Sequence, residues 1–232
     1  MTFNKLIVWG DSIAKGVTFN SVTNRLALLR DSGVRLMANL LGLDLINHAK
    51  LGCTLPAGLS IIKRDLEQQS CAETALIEFG GNDCDFRWDE VAADPTGAHQ
   101  PNTPLPLFES SLCQLVQSVR EHGVSPVLVT LPPIDDERYF STISRGRDAE
   151  NILQFLHSPR RIYTWHERYS LAVGRVAARL SCPLVELREA FLSTWDYRDY
   201  ISDDGIHPNA KGQQLISEAL TDFFSKEQAA LA

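Results

Sequence analysis

The chain has 232 residues, with 22 Lys plus Arg against 29 Asp plus Glu (net charge −7), 44% hydrophobic residues, 14 Gly, 11 Pro and 5 Cys. The apolar fraction excludes intrinsic disorder, and the modest Gly and Pro content excludes a collagen-like or low-complexity chain. No apolar run approaches the roughly 18 residues of a membrane span, and the acidic balance argues against a nucleic-acid partner, since phosphate binding draws on clustered Lys and Arg.

At this length folding buries roughly 70–75% of the unfolded surface, so a core needs neither disulfides nor metal, and one domain over residues 1–232 is expected. Cys53, Cys71, Cys84, Cys113 and Cys182 are odd in number and widely spaced, without a CxxC pair or a zinc-type His/Cys cluster. They point to a reducing compartment. The start of the chain offers an apolar run only from Leu6 to Trp9, short of the roughly 7–15 residues of a secretory signal, so a cytoplasmic location is expected.

Short apolar β-type runs fall at residues 6–9, 43–46, 75–79, 127–131 and 184–187. Between the first two, residues 25–42 read as one helix ending at Gly42. Further helices are expected over 58–69, 107–121, 163–180 and 209–224, the last opened by Pro208. Strands alternating with helices predict an α/β fold, a parallel sheet covered on both faces. Two stretches break the rhythm, 84–106 and 132–148, and read as long loops. Both leave from the carboxyl ends of strands, where open α/β sheets bind ligands.

Reactive residues collect at those same strand ends. The first strand is followed by Gly10-Asp11-Ser12 with Gly16, the second by Asn47 through Gly52, and the third by Gly80-Gly81-Asn82-Asp83. The fifth leads to Ser202-Asp203-Asp204-Gly205-Ile206-His207-Pro208. Together they supply the parts for acyl transfer: a nucleophile, oxyanion donors, a base and an orienting carboxylate. Ser12 is the candidate nucleophile, His207 the base and Asp204 its orienter, with Asp203 ranked second. Gly52, Asn82 and the Ser12 N–H are the candidate oxyanion donors. Each has an ordinary alternative. Asp11 and Ser12 would serve as helix caps, Asn82 as a turn residue, and Asp204 and His207 as groups at a helix start. His48, His99, His122, His157 and His166 lack partner spacing and read as structural or surface residues.

These residues resemble the sequence blocks of the SGNH hydrolases, also called GDSL esterases and lipases. Gly10-Asp11-Ser12 with Gly16 is similar to block I, Asn47 through Gly52 to block II, Gly80-Gly81-Asn82-Asp83 to block III and Asp204-Gly205-Ile206-His207 to block V. Each block alone is weak; the four occur in family order and span residues 6–212. The resemblance implies a flavodoxin-like three-layer α/β/α sandwich with a five-stranded parallel sheet. It also implies a Ser12–His207–Asp204 triad, an oxyanion hole of Ser12, Gly52 and Asn82, and ester hydrolysis without metal or cofactor. Cys84 through Trp88 and Pro132 through Asp136 are not general family features, which leaves the substrate open.

The two loops are expected to wall the pocket. Phe86, Trp88, Tyr139 and Phe140 would offer apolar surfaces, Arg87 or Arg138 an anchor, and Asp11 and Asp83 polar contacts. No lid-like amphipathic helix is evident, so small soluble esters of short acyl chains, including acetylated carbohydrates, are favoured over membrane lipids. Asp83, Asp85, Asp89, Glu90, Asp135, Asp136 and Glu137 near this edge favour a neutral substrate. A thioesterase or lysophospholipase would use the same triad, and a non-catalytic binding module would keep only the fold. A nucleotide-binding sheet fails for lack of GxGxxG or GxxxxGK[ST] after the first strand.

Overall fold

A computed structural model describes residues 4–68 and 72–231. Strand β1 (Lys5–Gly10) sets the plan: Leu6 and Val8 point into one core, Ile7 and Trp9 into another. This is the period-two pattern of a strand buried on both faces. β1 runs straight into the single turn α1 (Ser12–Lys15), which Gly16 closes.

The chain then departs from expectation. Residues 25–42 are not one helix. β2 (Val17–Asn20) and β3 (Arg25–Leu28) form an antiparallel hairpin, and α2 (Gly33–Leu41) begins only after it. The cause is local. Asn20 Oδ1 accepts from the Thr23 N–H at 3.0 Å, and Asn24 adopts a left-handed φ of 51°, which Asn tolerates better than most residues. Leu26 and Leu28 remain exposed, so their helix-like spacing meets no core.

β4 (Asp44–Asn47), α3 (Leu55–Glu67) and β5 (Thr74–Glu78) follow. α3 starts before the expected residue 58, because Thr54 Oγ1 caps it through the Ala57 N–H at 3.4 Å and Pro56 sits in its first turn. Gly58 lies inside the helix, where a Cβ would come 2.7 Å from the Phe79 ring. Gln69, the expected end of that helix, and Cys71 lie outside the described residues.

The expected loop at 84–106 contains α4 (Trp88–Ala93) and leads into α5 (Leu105–Glu121). β6 (Ser125–Val129) starts and ends before the expected 127–131, since Pro126 pairs in register with Ala75. Leu131 is thereby released from the sheet. The expected loop at 132–148 contains α6 (Asp136–Ile143) and is followed by α7 (Ala149–Leu156) and α8 (Arg160–Arg179). Asp135 and Asp148 account for the helices that were missed: each carboxylate accepts backbone N–H groups at the first turn of α6 or α7. β7 (Leu184–Val185), α9 (Leu187–Leu192), a short 3-10 turn at Tyr197–Tyr200 and α10 (Ala210–Leu231) complete the chain. Pro208 stands outside α10, bridged to Ile201, and Asn209 Oδ1 takes the capping place by accepting from the Gly212 N–H at 3.1 Å.

The five-stranded sheet has the order β4-β1-β5-β6-β7, and every pair is parallel. Numbered within the sheet this is the doubly wound order 2-1-3-4-5, whose ligand crevice opens beside the first strand. One core lies under α3, α5 and α8, and the other under α2, α9 and α10, giving the expected α/β/α layers. A third cluster, built from Trp88, Val91, Ile134, Tyr139, Ile152 and Leu156 among others, sits apart from both. Thus α4, α6, α7 and the start of α8 pack around a core of their own. Among the described residues no helix is long and apolar enough to cross a membrane.

Candidate active site

Ser12 leaves the end of β1 as the first residue of α1, and Asp11 caps that turn by accepting from the Ile13 N–H at 2.8 Å. At the first helical position the Ser12 N–H has no intrahelical acceptor. The Ser12 side chain meets His207 across the fold, with Oγ 3.0 Å from Nε2.

His207 is carried on a turn rather than a helix. Asp204 Oδ1 accepts from the Ile206 and His207 N–H groups at 3.2 and 3.1 Å, and Asp204 Oδ2 lies 2.5 Å from His207 Nδ1. A carboxylate accepting at Nδ1 puts the proton there, so Nε2 presents its lone pair to the Ser12 hydroxyl. Both side chains are buried, whereas Asp203, a central residue of the same turn, is exposed. Thr18 Oγ1, on the hairpin, lies 3.0 Å from Ser202 Oγ and ties β2 to this turn.

Asn82 and Gly52 lie beside Ser12 on the same cavity wall. Asn82 Nδ2 donates to Asp11 Oδ2 at 2.9 Å, which fixes the amide's orientation and leaves its second N–H free for a ligand oxygen. Asn102 Nδ2 donates to the Asn82 carbonyl at 2.9 Å and steadies the loop. Behind Asp11, Glu78 at the end of β5 is buried, with Oε2 3.4 Å from the Asp11 and Ala14 nitrogens. Burial, together with the neighbouring Asp11 charge, pushes the Glu78 carboxyl well above the usual range. Burial raises the Asp11 carboxyl as well, and Asp11 is the partner that accepts from Asn82 Nδ2.

The site opens into a cavity of about 430 Å³. Beyond the Ser12–His207 pair its walls are largely apolar and come from the third cluster: Phe86, Trp88, Ile134, Tyr139, Leu156 and Ile162. Asp85 anchors two of these rings. It accepts from Trp88 Nε1 at 2.8 Å and from the Tyr139 hydroxyl, and burial raises its carboxyl. α7 brings Phe155 and Leu156 to the cavity while Leu153 faces outward, so an amphipathic helix does cover the site, contrary to expectation.

Of the expected substrate contacts, Asp11, Phe86, Trp88 and Tyr139 line the cavity; Asp83, Arg87, Arg138 and Phe140 do not. Arg87 is exposed and pairs with Glu90 at 3.0 Å. Arg138 pairs with Asp135 and donates to the Arg198 and Ile201 carbonyls. Phe140 packs against the third cluster. Asp83 is fully buried, and its carboxylate accepts from the Leu55 N–H at 3.0 Å, clamping the Asn82 loop to the start of α3. Burial pushes the Asp83 carboxyl up to about 6.

Sequence reasoning missed Phe155, Ile162, Trp165 and His166, all at the cavity. Trp165 is partly buried against the core that Tyr169, Val173 and Val176 of α8 help to form, and it also reaches the cavity. His99 and His157 also reach the wall, so those three histidines are not remote from the site. No short spacing marks any of them, because they arrive on the loop after α4, the end of α7 and the start of α8.

Comparison with known proteins agrees with this architecture. The chain is 24% identical over 225 residues to the isoamyl acetate-hydrolyzing esterase of Saccharomyces cerevisiae, covering 95% of this chain and 85% of that protein. In structure it is similar to a lipase/acylhydrolase from Enterococcus faecalis (TM-score 0.69, 17% identity, 96% of each chain covered). It also resembles an acetylxylan esterase from Geobacillus stearothermophilus (TM-score 0.67, 18% identity, 97% and 96% covered). Residues 8–215 match the GDSL-like lipase/acylhydrolase family, and the chain belongs to that family of SGNH hydrolases.

Proposed function

We propose that this GDSL-type carboxylic ester hydrolase cleaves small neutral esters with short acyl chains through an acyl-enzyme on Ser12. The observation that carries the reading is the hydrogen-bonded line Ser12 Oγ, His207 and Asp204, with spacings of 3.0 and 2.5 Å, at the mouth of the apolar cavity. In this reading His207 Nε2 takes the Ser12 proton as Oγ bonds to the ester carbon. The developing oxyanion is met by the Ser12 and Gly52 N–H groups and the free Asn82 amide proton. Asp204 holds the ring and stabilises the imidazolium. His207 then passes its proton to the departing alkoxide, and a water molecule, deprotonated by His207, repeats the attack on the acyl-enzyme and releases the acid.

The substrate class rests on three supports. A cavity of about 430 Å³ suits a small ligand. The Asp11 carboxylate on its wall disfavours an anion. The yeast relative's name gives isoamyl acetate, a short-acyl ester of a neutral alcohol. Hydrolysis of p-nitrophenyl acetate and butanoate is expected, with loss of turnover in Ser12→Ala. Full activity in that variant would overturn the mechanism, and a preference for long acyl chains would overturn the substrate class.

A further inference from the structure

One buried polar group at the cavity has no role in the triad or the oxyanion hole. His166, on α8, is 6% exposed and lines the cavity. Its Nδ1 lies 2.8 Å from Arg188 Nη2. A guanidinium has no acceptor atoms, so Nδ1 must accept, and the ring proton must sit on Nε2. Arg188 is itself held firmly: it is buried, pairs with Glu167 at 2.7 Å, and donates to Ser170 Oγ at 3.1 Å and to the Tyr163 hydroxyl at 3.3 Å. It cannot swing away to release the ring. Burial, with the Arg188 charge second, holds the imidazole well below its ordinary pKa, so the ring stays neutral.

His166 Nε2–H therefore remains an N–H donor without a partner among the described residues. On the same wall Asp85 is engaged with Trp88 and Tyr139, and His99 Nε2 with the Asp94 carbonyl at 2.6 Å, while Trp165 Nε1–H is a second donor without a partner among the described residues. A fixed donor in a largely apolar stretch of wall selects for an acceptor on the ligand. An all-carbon group placed there displaces water and leaves the N–H unpaired.

We propose that His166, pinned by Arg188 as an Nε2–H donor, binds a neutral oxygen acceptor carried by the substrate. The substrate class is then esters with an ether, hydroxyl or carbonyl oxygen away from the scissile bond. This deepens the proposed function and rests on its reading of the Ser12 site. The acceptor sits on either the acyl or the alcohol portion, and the two are separable by experiment.

The probes are p-nitrophenyl hexanoate with its isosteres bearing one ether oxygen in place of a methylene, and hexyl acetate with the corresponding ether analogues. Each is compared in the wild-type enzyme and His166→Phe, so that differences in intrinsic ester reactivity cancel. At one chain position the oxygen is expected to raise kcat/KM in the wild type about ten- to a hundred-fold over its effect in His166→Phe. The all-carbon esters should gain in His166→Phe, where no N–H is left unpaired, and the position of the oxygen effect identifies the acyl or alcohol side. An oxygen effect equal in both proteins at every position overturns the inference. If His166→Phe does not fold, the Nε2–H resonance of His166 is followed by NMR in Ser12→Ala with each ether ester bound. A resonance that none of them shifts overturns the inference too. Hexanoate hydrolysis that survives in Ser12→Ala would instead sink the Ser12 reading, so the two failures are distinct.

Discussion

Gly205 and Asp135 are locked together: the Asp135 N–H donates to the Gly205 carbonyl at 2.8 Å, while a Cβ on Gly205 would lie 2.6 Å from the Asp135 carbonyl oxygen and 2.3 Å from the Tyr139 nitrogen. Gly205 also has a φ of +84°, a region that other residues enter at a cost. The turn carrying Asp204 and His207 thus rests directly on the first turn of α6. Gly205→Ala is expected to push the turn off α6 and pull Nε2 from Ser12, lowering kcat/KM about a hundred-fold. Ester kinetics on the folded variant check this, and near-normal kinetics would show that α6 does not position the turn.

The Asp11–Asn82 bond makes a second, independent prediction. Asp11 accepts from Asn82 Nδ2 and so keeps the amide's nitrogen, rather than its oxygen, toward the reacting centre. Asp11→Asn replaces a pure acceptor by a group that can donate, which allows the Asn82 amide to turn over. Loss of an oxyanion donor lowers rate about 10²–10³-fold, so kcat should fall by that order while KM changes little. Asn82→Ala in the Asp11→Asn background should then add little further loss. Additive losses would place the two residues in separate roles.

Asp83 makes a prediction about pH. Its carboxyl is raised by burial to about 6 from an ordinary 3.8. Between those values the folded state holds a proton that the unfolded state has lost, so this group's contribution falls as pH rises from about 4 to about 6. Asp83→Asn keeps an acceptor for the Leu55 N–H and removes the titration. Relative to wild type, the variant should gain on the order of 2–3 kcal/mol of stability across that window. Urea unfolding of both proteins at pH 4 and pH 7 measures it, and a constant difference between them would refute it.

The legible part of this protein was the part built from local periodicity and strand ends. β1, with its apolar run, and α5, with Leu112, Leu115, Val116 and Val119 on one face, read correctly because burial repeats at the element's own period. Ser12, Asn82, Asp204 and His207 were legible because each sits within a few residues of a strand end or a compact turn. The hairpin was not: Leu26 and Leu28 mimic a helical stripe, and only the Asn20 and Asn24 turn geometry decides otherwise. Nor were the cavity walls. Trp165 and His166 are neighbours in sequence, yet their surroundings come from α4, α7 and α9, so the cluster exists only in the folded chain.

The third cluster makes a prediction about acyl chain length. Phe155 on α7 packs edge-on against Phe86 at 5.4 Å and against His99 at 5.3 Å between ring centroids, closing one side of the cavity. Phe155→Ala removes a ring from the wall without touching Ser12, His207 or Asn82. Longer acyl chains then gain buried apolar surface that the wild-type wall denies them, and each added methylene in such a pocket is worth about 1–3 kcal/mol at most. The kcat/KM ratio of p-nitrophenyl octanoate to butanoate should rise about ten-fold, with butanoate turnover nearly unchanged. A series of acyl chain lengths on both proteins measures the shift. An unchanged optimum would mean that the acyl group lies elsewhere in the cavity and that α7 faces the alcohol.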